Sequence, residues 1–304
     1  MAQKVLVTGS TGFIGKYVTC GLADLGLDLN VISRKNCALF NKYKNISTSN
    51  ISINDRKGLS DLLKYFKPDT IIHLAAIASP THGNISEIYE VNVYGTEILL
   101  DAVMDFCPEG TRVVLTSTAG VYGNSKLEQI PEDAPYSPVN HYSFSKMSME
   151  MLARCYDDFL DVRIVRPFNI IGVGQKQNFL IPKLVQAFIH KEPIIKCGNL
   201  NTVRDYSDVV FASKSLIEIA MTKSNNRKVF NVCSGIGTSG TKMVDYLKEI
   251  TGFNPTIEVD DAFVRRKEID RLVGNPRNLN DFLGNKAVNL PVKEILINML
   301  ESYR

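Results

Sequence analysis

KVLVTGSTGFIG, residues 4–15, is a short apolar run that breaks into three glycines spaced three apart, Gly9, Gly12 and Gly15. An apolar run, a glycine loop and an amphipathic stretch in that order read as strand, turn and helix. In such a turn one glycine permits the tight bend, the next lets backbone approach a pyrophosphate, and the last lets the helix pack closely on the strand. The positive end of the helix then favours the phosphate charge. A glycine pattern alone is weak, and this one gains weight from standing directly after the first strand of an alternating series.

The series continues outward from the loop. LNVIS (29–33) reads as a strand, RKGLSDLLKYF (56–66) as a helix, DTIIHLAA (69–76) as a buried strand and TRVVLTS (111–117) as another. ISEIYEVNVYGTEILLDAVMDF (85–106) reads as one long helix. Apolar strands that alternate with helices imply parallel pairing with both sheet faces covered. After Pro167 the rhythm loosens: helices are expected over 178–191, 241–252 and the C-terminal VKEILINMLESYR, and strands over 229–235 and 255–259. The expected fold is α/β, a Rossmann-type doubly wound parallel sheet over residues 1–166. Residues 167–304 form a smaller C-terminal substrate-binding lobe, with some segments returning to the sheet.

Composition excludes several classes. The 304 residues are 44% apolar and 22% charged, ordinary for a globular protein. A net charge of +3 gives no reason to expect a nucleic-acid or membrane partner. No apolar run approaches the ~20 residues of a membrane span, and MAQKVLVTGS lacks a signal-peptide pattern. Cys20, Cys37, Cys107, Cys155, Cys197 and Cys233 are scattered, which fits reduced thiols and a cytoplasmic location. His73, His82, His141 and His190 show no ligand spacing, so no metal site is expected.

The second strand ends Ser33-Arg34-Lys35, where NAD-binding folds usually carry an acid that bonds the ribose hydroxyls. A hydroxyl and two cations suit a 2′-phosphate instead, because arginine offers a planar fork to phosphate oxygens. NADP(H) is therefore expected over NAD(H), although an exposed basic turn has the same composition.

YSFSK (142–146) puts Tyr142 and Lys146 four apart, on one helix face. That spacing is common in ordinary helices. As a catalytic pair, the phenol would have its pKa lowered from about 10 by the neighbouring ammonium and a cationic nicotinamide, which makes it a general acid for a carbonyl. Ser117 and Thr118, in LTSTAGVYG (115–123), stand at the C-terminal end of a strand, the ligand edge of an open α/β sheet, and either hydroxyl would orient the carbonyl oxygen.

TGSTGFIG, IIHLAA, VNVYGT, LTSTAGVYG, YSFSK and RPFNIIG occur in this order and cover essentially the whole chain. Together they resemble the extended short-chain dehydrogenase/reductases, the sugar-nucleotide epimerase/dehydratase group. The resemblance implies Tyr142 as acid/base, Lys146 on the nicotinamide ribose, and Thr118, more than Ser117, as the carbonyl-orienting hydroxyl. It implies cofactor contacts from Gly9, Thr11, Gly12, Phe13, Ile14, Gly15, Ser33, Arg34, Ile53, Leu74, Ala75, Ala76 and Pro167, besides Tyr142 and Lys146. Asn92 would brace the central strands, Arg166 would fall on the cofactor-side turn, and Ser117 and Asn169 would touch substrate. A homodimer through the helices near 85–106 and 142–159 is implied as well.

Within that group, 4,6-dehydratases carry acids after the catalytic threonine, and 3,5-epimerase/reductases carry a cysteine at about the position of Gly120. Here those positions are Ala119 and Gly120, which do no acid/base work. The C-terminal half looks most like the branch that holds GDP-mannose 4,6-dehydratases and their partner reductases. Arg204, Arg265 and Glu268 would then hold the nucleotide, and Asn178 and Lys183 would lie by the diphosphate. The chain departs from that branch at Arg266, usually proline, and in IIGVGQ after RPFN. The implied reaction is NADPH-dependent reduction of the C4 ketone of a nucleotide-diphospho-4-keto-6-deoxyhexose in deoxysugar and polysaccharide biosynthesis. GDP-4-keto-6-deoxymannose, going to GDP-rhamnose or its C4 epimer, is the first substrate to expect. The alternative is an NAD-dependent sugar-nucleotide 4-epimerase or 4,6-dehydratase.

Overall fold

A computed structural model of the chain describes residues 3–33, 37–79, 82–222, 228–260 and 268–303. β1 (Lys4–Thr8) leads into α1 (Phe13–Asp24), β2 (Asp28–Ile32), β3 (Ile46–Ser49), α2 (Arg56–Phe66) and β4 (Thr70–His73). α3 (Ile85–Tyr89) passes through a π-helical turn (Glu90–Tyr94) into α4 (Gly95–Phe106), followed by β5 (Arg112–Thr116), α5 (His141–Ala153) and β6 (Asp161–Pro167). Then come β7 (Asn169–Ile171), α6 (Leu180–Ile189), β8 (Ile194–Cys197), β9 (Val203–Asp208), α7 (Val209–Met221) and β10 (Val229–Val232). The chain ends with β11 (Gly237–Ser239), α8 (Gly240–Thr251), β12 (Thr256–Val259), β13 (Arg271–Leu272), α9 (Arg277–Leu283) and α10 (Val292–Glu301).

The main sheet has seven strands in the order β3-β2-β1-β4-β5-β6-β10. Every pairing from β3 to β6 is parallel. The strand order reverses between β1 and β4, and the ends of those two strands form the switch point where such sheets take ligands. Two features depart from the sequence reading. β6 is a full strand although Asp161, Arg163 and Arg166 interrupt its apolar pattern, because these charges pair inside the protein. The expected helix over 85–106 runs its full length but widens into a π-helical turn around the buried Asn92.

The chain divides into two compact units. The first holds Met1–Val121, Pro138–Pro167 and Ser213–Phe230, and the second Tyr122–Ser137, Phe168–Ala212 and Asn231–Arg304. The boundary expected after Arg166 lies one residue from the passage at Pro167–Phe168.

Leu6, Ile71, Val113, Leu115 and Ile164 from the strands pack with Leu59, Leu63, Leu99, Val103 and Met149 from the helices in the first unit's core. Each such side chain contributes about 1.5–3 kcal/mol on full burial. α2 is closed at both ends: the Asp55 carboxylate accepts from Gly58 N, and Lys67 ends it in the left-handed conformation.

In the second unit, β7 joins β9 in parallel, and β9 also carries β11 and β13. α6 buries Ile181, Leu184, Val185 and Phe188, at helical spacing, in a core with Met243, Leu247, Leu296 and Met299.

Candidate active site

Asn140 caps α5, its side-chain oxygen accepting from Ser143 N at 2.9 Å, so the helix starts where Tyr142 falls in its first turn. Lys146 is one turn further and 2% exposed. Its ammonium donates to Thr116 O at 2.7 Å and lies 3.7 Å from Met149 Sδ. Burial pulls this ammonium down to about 8, against the opposing charge of Glu150. Burial pushes the half-buried Tyr142 phenol up to about 12, and a hydrogen bond with Thr118 pulls the other way. The chain's own groups keep Tyr142 protonated at neutral pH, the form that gives a proton. The Thr118 hydroxyl also accepts from Gly120 N at 3.1 Å, so its position is fixed.

Ser117, the other candidate, is turned away. It is 2% exposed and its hydroxyl donates to the Glu150 carboxylate. The substrate contact expected of Ser117 is therefore corrected: its one proton is committed inside the protein. Arg166 is likewise 2% exposed and paired with Glu150. Pro167, its neighbour at the end of β6, is half-buried.

At the switch point Gly9 adopts φ +68°, and a Cβ there would lie 2.5 Å from Ala75 N and 2.6 Å from Leu74 C. A Cβ on Gly15 would sit 2.2 Å from Gly9 O, so this glycine lets α1 close on the loop. Gly12 is exposed, and a Cβ there would meet only Gly9 O, at 3.1 Å. No side chain caps α1, and the buried Ser10 hydroxyl in this loop has no partner among the described residues. An uncapped helix start over an open glycine fits a pyrophosphate. Phe13 and Ile14 form the first, half-buried turn of α1. The Ser33 hydroxyl stands 3.5 Å from Thr11 Oγ1, which joins the end of β2 to the loop. Leu74, Ala75 and Ala76 are half-buried beside it, whereas Ile53 is 8% exposed and packed in the core. Arg34 and Lys35 lie outside the described residues.

A buried chain of hydrogen bonds links the two halves of this site. Thr8 Oγ1 accepts from Ala75 N at 3.1 Å and stands 2.7 Å from His73 Nδ1. Thr96 gives its proton to Asn92 O at 2.9 Å and so accepts from His73 Nε2 at 3.1 Å. These roles place a proton on His73 Nε2. Burial, helped by the Lys146 charge, lowers His73 to about 3. Asn92 Oδ1 accepts from Ile77 N at 2.8 Å, and its Nδ2 donates to Ser145 Oγ at 3.0 Å, reaching α5.

A glycine loop at the switch point, a tyrosine and lysine one turn apart and a hydroxyl beside the phenol form a nicotinamide-dependent oxidoreductase arrangement. Residues 5–233 match the profile of the NAD dependent epimerase/dehydratase family. This chain belongs to that family. It is 34% identical over 300 residues to a GDP-6-deoxy-D-talose 4-dehydrogenase of Aggregatibacter actinomycetemcomitans, covering 99% of this chain and 98% of the relative. It is 26% identical over 314 residues to a GDP-6-deoxy-D-mannose reductase of Pseudomonas aeruginosa, covering 100% and 98%. A putative epimerase from Burkholderia cenocepacia J2315 has a similar structure, with TM-score 0.90, 32% identity and coverage of 99% and 98%. Membership in the epimerase/dehydratase family makes this chain an oxidoreductase of sugar-nucleotide CH–OH groups that depends on a nicotinamide dinucleotide.

The second unit of this epimerase/dehydratase chain carries the other candidates. Asn169 on β7 is the register partner of Tyr206 on β9, two residues from Arg204, so these two candidates lie on adjoining strands. Arg204 Nη1 donates to Val203 O at 2.9 Å. Glu268 accepts from Asn199 Nδ2 at 3.0 Å, and Lys183 donates to Lys196 O at 2.8 Å. Asn178 is exposed just before α6. Arg265 and Arg266 lie outside the described residues. Asp205, which the sequence reading passed over, is fully buried and accepts from Ser234 N and Oγ, both at 2.7 Å, Gly235 N at 2.8 Å and Gly274 N at 3.2 Å. It ties two segments, at Ser234–Gly235 and at Gly274, to the strand that carries Arg204. Among the described residues there is no cluster able to hold a metal ion, and no helix is long and apolar enough to cross a membrane.

Proposed function

We propose that this protein is an NADPH-dependent 4-ketoreductase that acts on GDP-4-keto-6-deoxymannose. The observation that carries the reading is the Thr118–Tyr142 hydroxyl pair, protonated at neutral pH and followed by Ala119 and Gly120, which bear no acid or base. Position 120 carries no side chain, and a Cβ there would lie 2.4 Å from Ser143 Oγ, so a larger residue would have to displace that hydroxyl. Reduction of a ketone needs only a hydride, a proton and positioning.

The bound reduced nicotinamide supplies the hydride. Thr118 and Tyr142 orient the ketone oxygen. As C4 becomes tetrahedral, Tyr142 gives its phenolic proton to that oxygen, yielding the alcohol, and regains one from solvent. Lys146, the nearby cation, stabilises the transient phenolate. Ser33, Arg34 and Lys35 in place of an acid favour the 2′-phosphate of NADPH. The names of the two relatives support a GDP-linked 6-deoxyhexose, and the talose name at 34% identity makes GDP-6-deoxytalose the first product to seek. A homodimer is part of the reading, because Tyr94, Met104 and Phe144 expose apolar surface on the π-helical turn, α4 and α5. Light scattering on the purified protein tests it.

The deciding assay follows NADPH oxidation with GDP-4-keto-6-deoxymannose, with dTDP- and UDP-linked ketosugars in parallel. Oxidation with the GDP sugar alone, followed by NMR of the product at C4, is the expected result. Oxidation only with another nucleotide would overturn the GDP assignment. No oxidation with any of them would turn the reading to 4-epimerisation.

A further inference from the structure

Three successive residues at the end of β5 grip three turns of α5. Thr116 O accepts from Lys146 Nζ, the Ser117 hydroxyl donates to Glu150, and the Thr118 hydroxyl meets Tyr142. Tyr142, Lys146 and Glu150 follow each other at intervals of four, along one helix face. Glu150 is 3% exposed. Arg166 Nε reaches its two oxygens at 3.1 and 3.2 Å, and Nη2 donates to Oε2 at 2.6 Å. Ser117 N also donates to Val165 O at 2.7 Å, so the ends of β5 and β6 converge on this carboxylate. A buried ion pair is a poor source of stability, since well-packed apolar groups usually replace it without loss. Its place beneath Lys146 points to a different use.

We propose that Glu150 is a positioning residue of the active site: held by Arg166 and Ser117, its carboxylate fixes the Lys146 turn against β5 and supplies the negative charge that the Lys146 ammonium faces. The inference rests on the reading of Lys146 as part of the reductase apparatus. The charged and titratable groups around Lys146 are Tyr142 and Glu150 from α5 and His73 from β4, with Arg166 of β6 behind Glu150. His73 is neutral, so Glu150 is the anion among them. Glu150 raises the proton affinity of Lys146 while burial lowers it. Glu150→Gln removes the anion and leaves the Arg166 cation, and both changes favour loss of the Lys146 proton.

The test is an NMR titration of the full chain without substrate, with lysines labelled by carbon-13 at Cε and the Lys146 signal assigned by its loss in Lys146→Met. Thermal melts of each variant report folding. In E150Q the Lys146 midpoint is expected to fall by about 1 pH unit or more. In E150Q/R166M, which buries no lone charge, it is expected to lie between E150Q and the wild type. Should E150Q fail to fold, the double variant decides alone: a midpoint below the wild type supports the proposal, and one equal to it overturns it. An unchanged midpoint in folded E150Q overturns it too. None of these readouts depends on which ketosugar the enzyme turns over. A wild type inactive on every ketosugar would sink the reductase reading and leave this titration standing.

Discussion

The Thr8 hydroxyl meets Nδ1 of His73 across the β1–β4 pairing, at 2.7 Å, in a site so buried that the imidazole stays neutral. His73 has its ordinary value of 6.5 when the chain unfolds and about 3 when it is folded. The unfolded state therefore binds the extra proton first, and stability is full above pH 6.5 and declines as pH falls toward 3. The slope from this group is about 1.4 kcal/mol per pH unit. Urea midpoints at pH 7, 6, 5 and 4 should fall for the wild type, and less steeply for His73→Gln, which cannot ionise. Parallel curves for the two proteins would refute this.

Lys146 gives the opposite lesson about the same site. Its ammonium titrates at about 8 in the fold and 10.5 outside it, so the fold carries a penalty below pH 8 that disappears as pH rises to 10.5. Lys146→Met is expected to raise stability at pH 7 by up to about 3 kcal/mol. The gain should vanish near pH 10.5, and activity should be lost. A destabilised Met variant at pH 7 would mean that the bond to Thr116 O outweighs the burial penalty.

Tyr142→Phe removes the acid and keeps the ring. We expect kcat to fall by about 10²–10⁴-fold, with NADPH affinity, read by fluorescence titration, unchanged. Equal losses in turnover and in NADPH affinity would assign Tyr142 a binding role instead.

The three glycines of the loop should respond differently. Gly15→Ala places a Cβ 2.2 Å from Gly9 O, against backbone that cannot yield, and should lower the melting temperature sharply. Gly12→Ala meets one atom, at 3.1 Å, and should melt near the wild type while losing NADPH binding. The same fate for both variants would argue against Gly12 as the pyrophosphate glycine.

Gly120→Ala should destabilise the protein, since its methyl carbon would fall 2.4 Å from Ser143 Oγ. Adding Ser143→Gly should return most of the lost stability. If the second change gives no recovery, something other than Ser143 forbids a side chain at position 120.

Much of this was legible because the signals are local. The alternation of apolar strands with amphipathic helices appears in the sheet order, and TGSTGFIG and YSFSK stand on the elements expected of them. β6 was hidden because Arg163 and Arg166 look like surface residues, and only the folded chain shows them 1% and 2% exposed. Glu150 carried a faint signal, a period of four from Tyr142 through Lys146, which a search for catalytic pairs stops short of. Asp205 gave none, since its donors come from Ser234, Gly235 and Gly274, far along the chain. The π-helical turn at Asn92 has no compositional mark. At that turn the Asn92 amide meets both Ile77 and Ser145.

The chain passes between its compact units five times, and the last strand of the main sheet, β10, ends the first unit at Phe230. On the ribosome, then, the dinucleotide-type sheet cannot be finished first and the rest added after. β6 waits with an unpaired flank until about three-quarters of the polypeptide has been made, and unpaired flanks invite aggregation. Neither unit is a heritable module that a gene could gain, lose or exchange by a single cut. The two are born together, and a nascent chain halted before β10 has no native state to reach.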